Sequence, residues 1–391
     1  MRTKTRPVVS YVIPTRNRRG MLMKYLPRLI GLCGRIPGEI IVINNDSTDD
    51  TESFVRQNFP SVRFFARTFN SGAEARNVGI RSGRGDYVCM LDDDSVPEEG
   101  AVREGIRLME RGRRIGCLAF RIAMPRGRFW TNGIFTTFAG CGALLSRKAL
   151  LSIGGYPPGY GYYVEEYDVS FRLWAAGYRL INARGLTVFH EQADSGRDIN
   201  RIINRLVANN VKLYTKFFPP RFAAERVKYE IMRYRAIAAK EGAMEGLASG
   251  LREGGLKVFD PGHRPVFSAA LCRRVLGLGV IQGRLRRFVR KRKIRSAAVH
   301  TLGKSTDTVI RMLKSEGVRV TGVYDNNKEF EGISVEGVPV YRSQRLSKAN
   351  RTDAVVCGSS SLSVNDEVEQ HVTGDKKFGS LPFLRLCDYD V

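Results

Sequence analysis

The sequence predicts an α/β protein: a mostly parallel sheet flanked by helices, then a helical extension, then a second and smaller α/β domain. Three observations lead there. Short β-branched runs alternate with helix-like segments from Val8 to Leu91, helical periodicity dominates from Asp198 to Leu251, and strand–helix alternation restarts after Ser296. At 391 residues the chain is long for one core, and boundaries fall naturally at 1–220, 221–295 and 296–391.

The first strand-like runs are Val8 to Ile13, Glu39 to Ile43, Val62 to Ala66 and Tyr87 to Leu91. Between them, Met21 to Leu32, Asp50 to Phe59 and Ala73 to Ser82 have helical spacing. Such βαβ alternation makes parallel strands, and ligands then bind beyond the strands' carboxyl ends. Polar clusters fall at those ends: Pro14 to Arg18, Asn44 to Ser47, and Asp92-Asp93-Asp94. Three adjacent carboxylates repel one another, which points to a cation among them. An exposed acidic turn, or a cap for a helix begun by Pro97-Glu98-Glu99, would serve as well. Ser47 to Thr51 reads as a turn into a helix N-cap. Further on, Phe138 to Arg147 is a small-residue strand and turn, Val164 to Trp174 a helix opening on acids, and Gly185 to Phe189 a strand ending at His190. Asp168 lies four residues before Arg172, the spacing of an intrahelical ion pair.

Lys and Arg outnumber Asp and Glu by 64 to 39, a net charge of +25 that implies an anionic partner. Seven cysteines without metal-knuckle or redox spacing read as reduced, mostly buried residues of a cytoplasmic protein. The basic N-terminus runs into a strand and not into the apolar core of a signal peptide. No apolar window is long enough to span a bilayer, Val266 to Val280 being broken by Arg273 and Arg274.

The ordered motifs Val12 to Arg18, Asn44 to Thr51, Asn70 to Gly79 and Leu91 to Asp94 resemble those of family 2 glycosyltransferases of the GT-A fold, especially rhamnosyltransferase-like members that build bacterial cell-surface glycans. The resemblance covers roughly the first 250 residues. It implies a nucleotide-diphosphate sugar donor, inversion at the anomeric carbon, and Mg²⁺ or Mn²⁺ held by an Asp-x-Asp motif, here Asp92 and Asp94, with His190 as a further ligand. It places Pro14, Thr15, Arg16, Asn44, Asp46, Arg76, Asn77, Asp92 and Asp93 on the donor side. The second acid of a Glu-Asp-like pair, here Glu166, becomes the catalytic base. Asn44 departs from the Asp common at that position, which leaves the base of the donor open. The implied acceptor is a glycan or lipid-linked sugar.

Asp198 to Phe218 and Phe222 to Leu251 read as helices whose aromatic residues serve packing. Arg273 to Arg295 holds ten Arg or Lys and no acid. A solvated face, a nucleic-acid contact and an anionic-membrane anchor all fit that composition. The implied lipid-linked acceptors favour peripheral membrane contact through 273–295, at the inner face of the cell membrane, and no nucleic-acid recognition module is recognisable. The last domain is similar to a small Rossmann-like fold with only Gly303 in its phosphate loop and Asp325 at the second strand's end, a module for packing, oligomerisation or acceptor recognition. A metal-dependent inverting glycosyltransferase is the leading expectation; a non-catalytic glycosyltransferase-like scaffold in a membrane-associated glycan assembly is the alternative.

Overall fold

The computed structural model describes residues 8–130, 137–191, 198–255, 264–348, 352–359, 362–374 and 381–386. These fall into two compact units that divide between Arg197 and Asp198.

The first unit contains β1 (Val9–Thr15), α1 (Arg19–Cys33), β2 (Gly38–Asn45), α2 (Thr51–Asn58), β3 (Arg63–Arg67), α3 (Arg76–Ser82), β4 (Tyr87–Met90), β5 (Ser95–Pro97), α4 (Ala101–Arg111), β6 (Ile115–Met124), β7 (Arg128–Trp130), β8 (Ala143–Ser146), α5 (Arg147–Ser152), α6 (Glu165–Ala175) and β9 (Arg179–His190). Its sheet has the order β3-β2-β1-β4-β8-β6-β9-β5, with β7 paired to β6. The first four strands are mutually parallel, as the βαβ pattern demands. Antiparallel pairing enters where β8 inserts between β4 and β6. β1 is buried at every position because helices cover both faces, so it reads as a continuous apolar run. On one face Val9, Tyr11 and Ile13 pack against Leu22, Leu26 and Leu29 of α1. In α4, Val102, Ile106 and Met109 form the buried stripe.

One expectation fails here. No helix starts at Pro97: that residue pairs with Val188 in the β5–β9 ladder, and α4 begins only at Ala101, after Gly100 in the left-handed region at φ 82°. Pro is tolerated because this three-residue strand lies at the sheet edge.

The second unit opens with α7 (Ile199–Phe217), α8 (Pro220–Lys240), α9 (Met244–Gly254), α10 (Ala269–Val275) and α11 (Leu278–Arg292). The helix expected to run from Phe222 to Leu251 breaks at Gly242, which takes φ 67°. Phe217, Phe218, Phe222 and Phe267 stack with centroids 5.1 to 5.3 Å apart, a packing role for the aromatic residues. Then follow β10 (Ser296–His300), α12 (Thr306–Ser315), β11 (Arg319–Asp325), β12 (Ser334–Val335), β13 (Val338–Arg342), β14 (Ala354–Cys357), α13 (Leu362–Gly374) and β15 (Phe383–Leu384). They form the sheet β12-β13-β11-β10-β14-β15, parallel throughout apart from the β12–β13 pair. Ile281, Leu285 and Val289 of α11 are buried in the core that includes Val299 and Val323. No described helix is long and apolar enough to cross a membrane.

Candidate functional site at the strand ends

β1 and β4 run parallel, and the Leu91 N–H donates to the Val12 carbonyl at 3.1 Å, so the acidic run emerges beside the end of β1. The turn is closed locally: the Asp92 N–H donates to Ser95 Oγ (2.9 Å), and the Ser95 N–H to the Asp92 carbonyl (3.2 Å). β5 then pairs antiparallel with the end of β9, setting Ser95 opposite His190. That register puts His190 Nε2 3.0 Å from Asp94 Oδ1. Cys141, one residue before the segment leading into β8, completes the group: ligand atoms of Asp92, Cys141 and His190 all lie within 4.8 Å of one another. Carboxylate oxygens with an imidazole nitrogen suit a divalent cation, and the nearby sulfur shifts the set toward softer metals than Mg²⁺.

On the other side of the acidic turn lies Arg76, the first residue of α3. It is almost wholly buried and ion-paired with Asp92 through Nη2. The same Nη2 is 3.5 Å from the Gly140 carbonyl, and the Gly140 N–H donates to Glu166 Oε1 at 3.2 Å. Asp92, Arg76, Gly140 and Glu166 therefore form one connected row. A Cβ at residue 140 would stand 2.8 Å from Glu166 Oε1 and 2.9 Å from Arg76 Nη2, so an added methyl would displace the ends of both side chains. Ahead of Glu166, Tyr163 and Val164 take φ 71° and 74°, a left-handed conformation costly for a β-branched residue. That bend starts α6 with Glu165 and Glu166 turned inward. Glu165 is buried, and its Oε2 has no hydrogen-bond partner among the described residues.

Burial governs the protonation of these groups. It pushes both Glu165 and Glu166 up, Glu165 well above the usual carboxylate range with help from the charge of Glu166, while Arg76 pulls both back. Burial, with Asp94 and Asp92 nearby, raises Asp93 to about 7 despite the Thr15 hydrogen bond. Burial works against a charged His190, but Asp94 and then Cys141 raise it to about 11. Burial also raises the Cys141 thiol.

The remaining donor-side residues separate. Thr15 Oγ1 donates to Asp93 Oδ2 at 2.7 Å, and Arg16 Nε to the Asp46 carbonyl at 3.0 Å. Pro14 is buried within β1. Asn44 accepts from the Ser47 N–H (3.0 Å) and donates to Glu52 (3.4 Å), holding the turn after β2. Asn77 lies away from this group: its Nδ2 donates to the Tyr156 carbonyl (2.9 Å) and its Oδ1 accepts the Tyr156 N–H (2.7 Å). Asp168 is fully buried, accepting from Arg172 at 2.5 Å and from Tyr160 at 3.1 Å, so the ion pair expected from spacing is present.

Sequence reasoning missed three residues. Asn45 bonds to Asn70, Ser71 and Gly72, tying the loop after β3 to β2. Cys141 was grouped only with the unpaired cysteines, and Glu165 was hidden by its neighbour. A cysteine between two glycines, in Gly140-Cys141-Gly142, was the signal that backbones approach closely there.

In the second unit the loop after β10 is closed by the protein itself. Asp325 Oδ2 accepts the Leu302 N–H (2.7 Å) and the Thr301 hydroxyl (3.1 Å). A Cβ on Gly303 would meet Ser359 Cα at 2.8 Å. The carboxylate at the ribose-binding position is thus engaged with backbone and hydroxyl groups of the chain.

The model of Glycosyl transferase family 2 matches residues 10–163, which include the acidic turn, Arg76 and Cys141. Among curated relatives, the chain is similar to the probable glycosyltransferase YdaM of Bacillus subtilis, 22% identical over 255 residues, covering 57% of this chain and 60% of that protein. It is also similar to the minor teichoic acid biosynthesis protein GgaB of the same organism, 27% identical over 106 residues, covering 26% of this chain and 12% of GgaB. The chain thus spans less than two thirds of either relative. Among solved structures it is similar to the mannosyltransferase PcManGT of Pyrobaculum calidifontis in complex with GDP-Man and Mn²⁺, with 20% identity, a TM-score of 0.44 and coverage of 71% and 82%. S. aureus TarS follows, with 15% identity, a TM-score of 0.41 and coverage of 52% and 39%. Residues 10–163, which carry the parallel β3-β2-β1-β4 half and the acidic turn at the end of β4, are thus similar to Glycosyl transferase family 2.

Proposed function

We propose that the protein is an inverting, metal-dependent glycosyltransferase that moves a sugar from a nucleotide diphosphate to a hydroxyl of a cell-surface glycan or lipid-linked acceptor. The observation that supports this reading is the row in which His190 pairs with Asp94, the His190 and Asp92 ligand atoms lie within 4.8 Å, and Asp92 leads through Arg76 and Gly140 to Glu166; it would set a cation-binding end against a carboxylate end. Asp92, Asp94 and His190 would hold a divalent cation, with Mn²⁺ favoured over Mg²⁺ by the imidazole; when bound, it supplies positive charge for the departing diphosphate.

The chain's own residues do the rest. Arg76 adds a fixed buried charge beside the same diphosphate. Thr15, Arg16, Asn44 and Asp46 line the nucleoside side, with Pro14 and Asp93 beneath and Asn77 holding the neighbouring loop. Glu166 takes the acceptor hydroxyl proton as that oxygen bonds to the anomeric carbon and the carbon–phosphate oxygen bond breaks, its electron pair leaving with the diphosphate. Burial raises the affinity of Glu166 for protons, which makes it a stronger base than a solvated carboxylate, and Arg76 opposes that rise. The Arg/Lys-rich stretch 273–295 supports a place at the inner face of the cell membrane.

A screen of sugar nucleotides with Mn²⁺, read by thermal stabilisation and slow donor hydrolysis, tests this without knowledge of the acceptor. Asp94→Ala is expected to abolish transfer and metal-dependent nucleotide binding. Glu166→Gln is expected to abolish transfer while nucleotide binding persists. Full transfer in excess chelator, or in Glu166→Gln, contradicts the mechanism; nucleotide binding without turnover of any donor across a broad acceptor panel favours the scaffold.

A further inference from the structure

A charged cavity lies within the C-terminal unit. It has a volume of about 480 Å³ and is lined by Arg284, Arg287, Phe288, Lys291 and Arg292 of α11 and by Pro382 to Arg385 around β15. The helix spacing explains its composition. Residues 284, 287, 288, 291 and 292 recur at intervals of three and four and form one stripe, while Ile281, Leu285 and Val289 form the stripe that enters the core. One face of α11 thus anchors the helix, and a neighbouring face presents cations to a cleft.

Five cations surround this cavity. Arg385 is partly neutralised by Glu369 at 2.7 Å, and Arg284 reaches the Leu386 carbonyl at 3.4 Å. Arg287, Lys291 and Arg292 are exposed and carry no ion pair among the described residues. Holding like charges together costs free energy that a multivalent anion would offset. The opposite wall, Pro382, Phe383 and Leu384, is apolar and belongs to the edge of the sheet, with Phe383 paired only to β14 through Val355. Guanidinium groups match phosphate oxygens in pairs, whereas an apolar wall has nothing to offer a fully hydrated ion.

We propose that this cleft binds a diphosphate group carrying an apolar chain, the cations holding the phosphates and the Pro382–Leu384 wall the first part of the chain. Its volume is in the range of small-ligand sites. The proposal concerns binding by the second unit and stands whether or not the first unit transfers sugar.

The test uses the full chain with three probes: inorganic pyrophosphate, phosphatidylcholine vesicles doped with a prenyl diphosphate, and phosphatidylcholine–phosphatidylserine vesicles of equal surface charge. Co-sedimentation with the prenyl-diphosphate vesicles, inhibited by pyrophosphate and clearly stronger than with the phosphatidylserine vesicles, is expected. Each lost cation should weaken binding by about tenfold, as for a charge-assisted hydrogen bond. Arg287→Gln with Lys291→Gln tests the cleft, and Arg286→Gln with Arg290→Gln removes the same charge elsewhere on α11. The first pair should release the vesicles and the second should not. Pyrophosphate binding in solution without prenyl-diphosphate vesicle binding would overturn the apolar part of the proposal. Equal loss in both pairs, or equal binding to phosphatidylserine vesicles without competition by pyrophosphate, would overturn the site altogether.

Discussion

At Gly140 the missing side chain lets Arg76 and Glu166 approach the same peptide. Gly140→Ala should lower transfer by about a hundredfold, the effect of a displacement of roughly 1 Å at a reacting group, with nucleotide binding retained; unchanged turnover would show that the close fit there has no bearing on the chemistry. Asn77 belongs to a different category despite its place in the Asn70–Gly79 motif. Both ends of its amide serve the buried Tyr156 backbone, and Asn77→Ala should cost about 2–4 kcal/mol in urea denaturation because an N–H and a carbonyl lose their partners. A motif in sequence cannot separate these two roles, because the same small-and-polar spacing suits a ligand loop and a loop fastener. Asp92, Asp94 and Glu166 stood out as candidates because carboxylates cluster there after a strand and at a helix start; Cys141 did not, because its neighbours in space are 49 residues away in either direction along the chain (92 to 141, 141 to 190).

Among elements, the contact between α8 and α12 is sensitive to acid. Arg226 makes two 2.9 Å bonds to Asp307 and lies 3.5 Å from Glu230, which in turn accepts from Arg233 at 2.6 Å. Burial works against the Glu230 carboxylate, yet Arg233, Lys304 and Arg226 hold it below its usual value of 4.5. Its contribution to stability is therefore complete above that value and is lost as pH falls through the lowered one. Glu230→Gln should flatten the acid limb of the stability curve in chemical denaturation. Arg226→Met should cost about 3–5 kcal/mol at neutral pH by leaving two buried carboxylates short of a partner. Strand and helix identities here followed from period and composition. The break of the long helix at Gly242 did not, because a single glycine is tolerated inside a helix unless the chain must turn, and packing of α7 against α9 decides that.

At the scale of the whole molecule, a charge of +25 sets the strength of its attraction to anions. Binding to anionic vesicles should weaken steeply as added salt shortens the screening length from about 10 Å at 0.1 M to about 3 Å at 1 M; salt-insensitive binding would point to apolar insertion instead. The second sheet was visible in the restart of alternation at Ser296, but the strand order of the first was not: nothing local announces that β8 will lie between β4 and β6, or that β5 will find β9 more than 90 residues on, Pro97 opposite Val188 and Ser95 opposite His190. That long-range pairing makes the cation end sensitive to chain length. β9 matches β6 up to Ala183 and again from Thr187, leaving Arg184, Gly185 and Leu186 as surplus. Downstream of them, one deleted or inserted residue that slipped the ladder would set Phe189 or Glu191 opposite Ser95 in place of His190. The protein could then lose a proposed metal ligand with every proposed ligand residue still in its sequence, and a survey of substitutions alone would not find that failure.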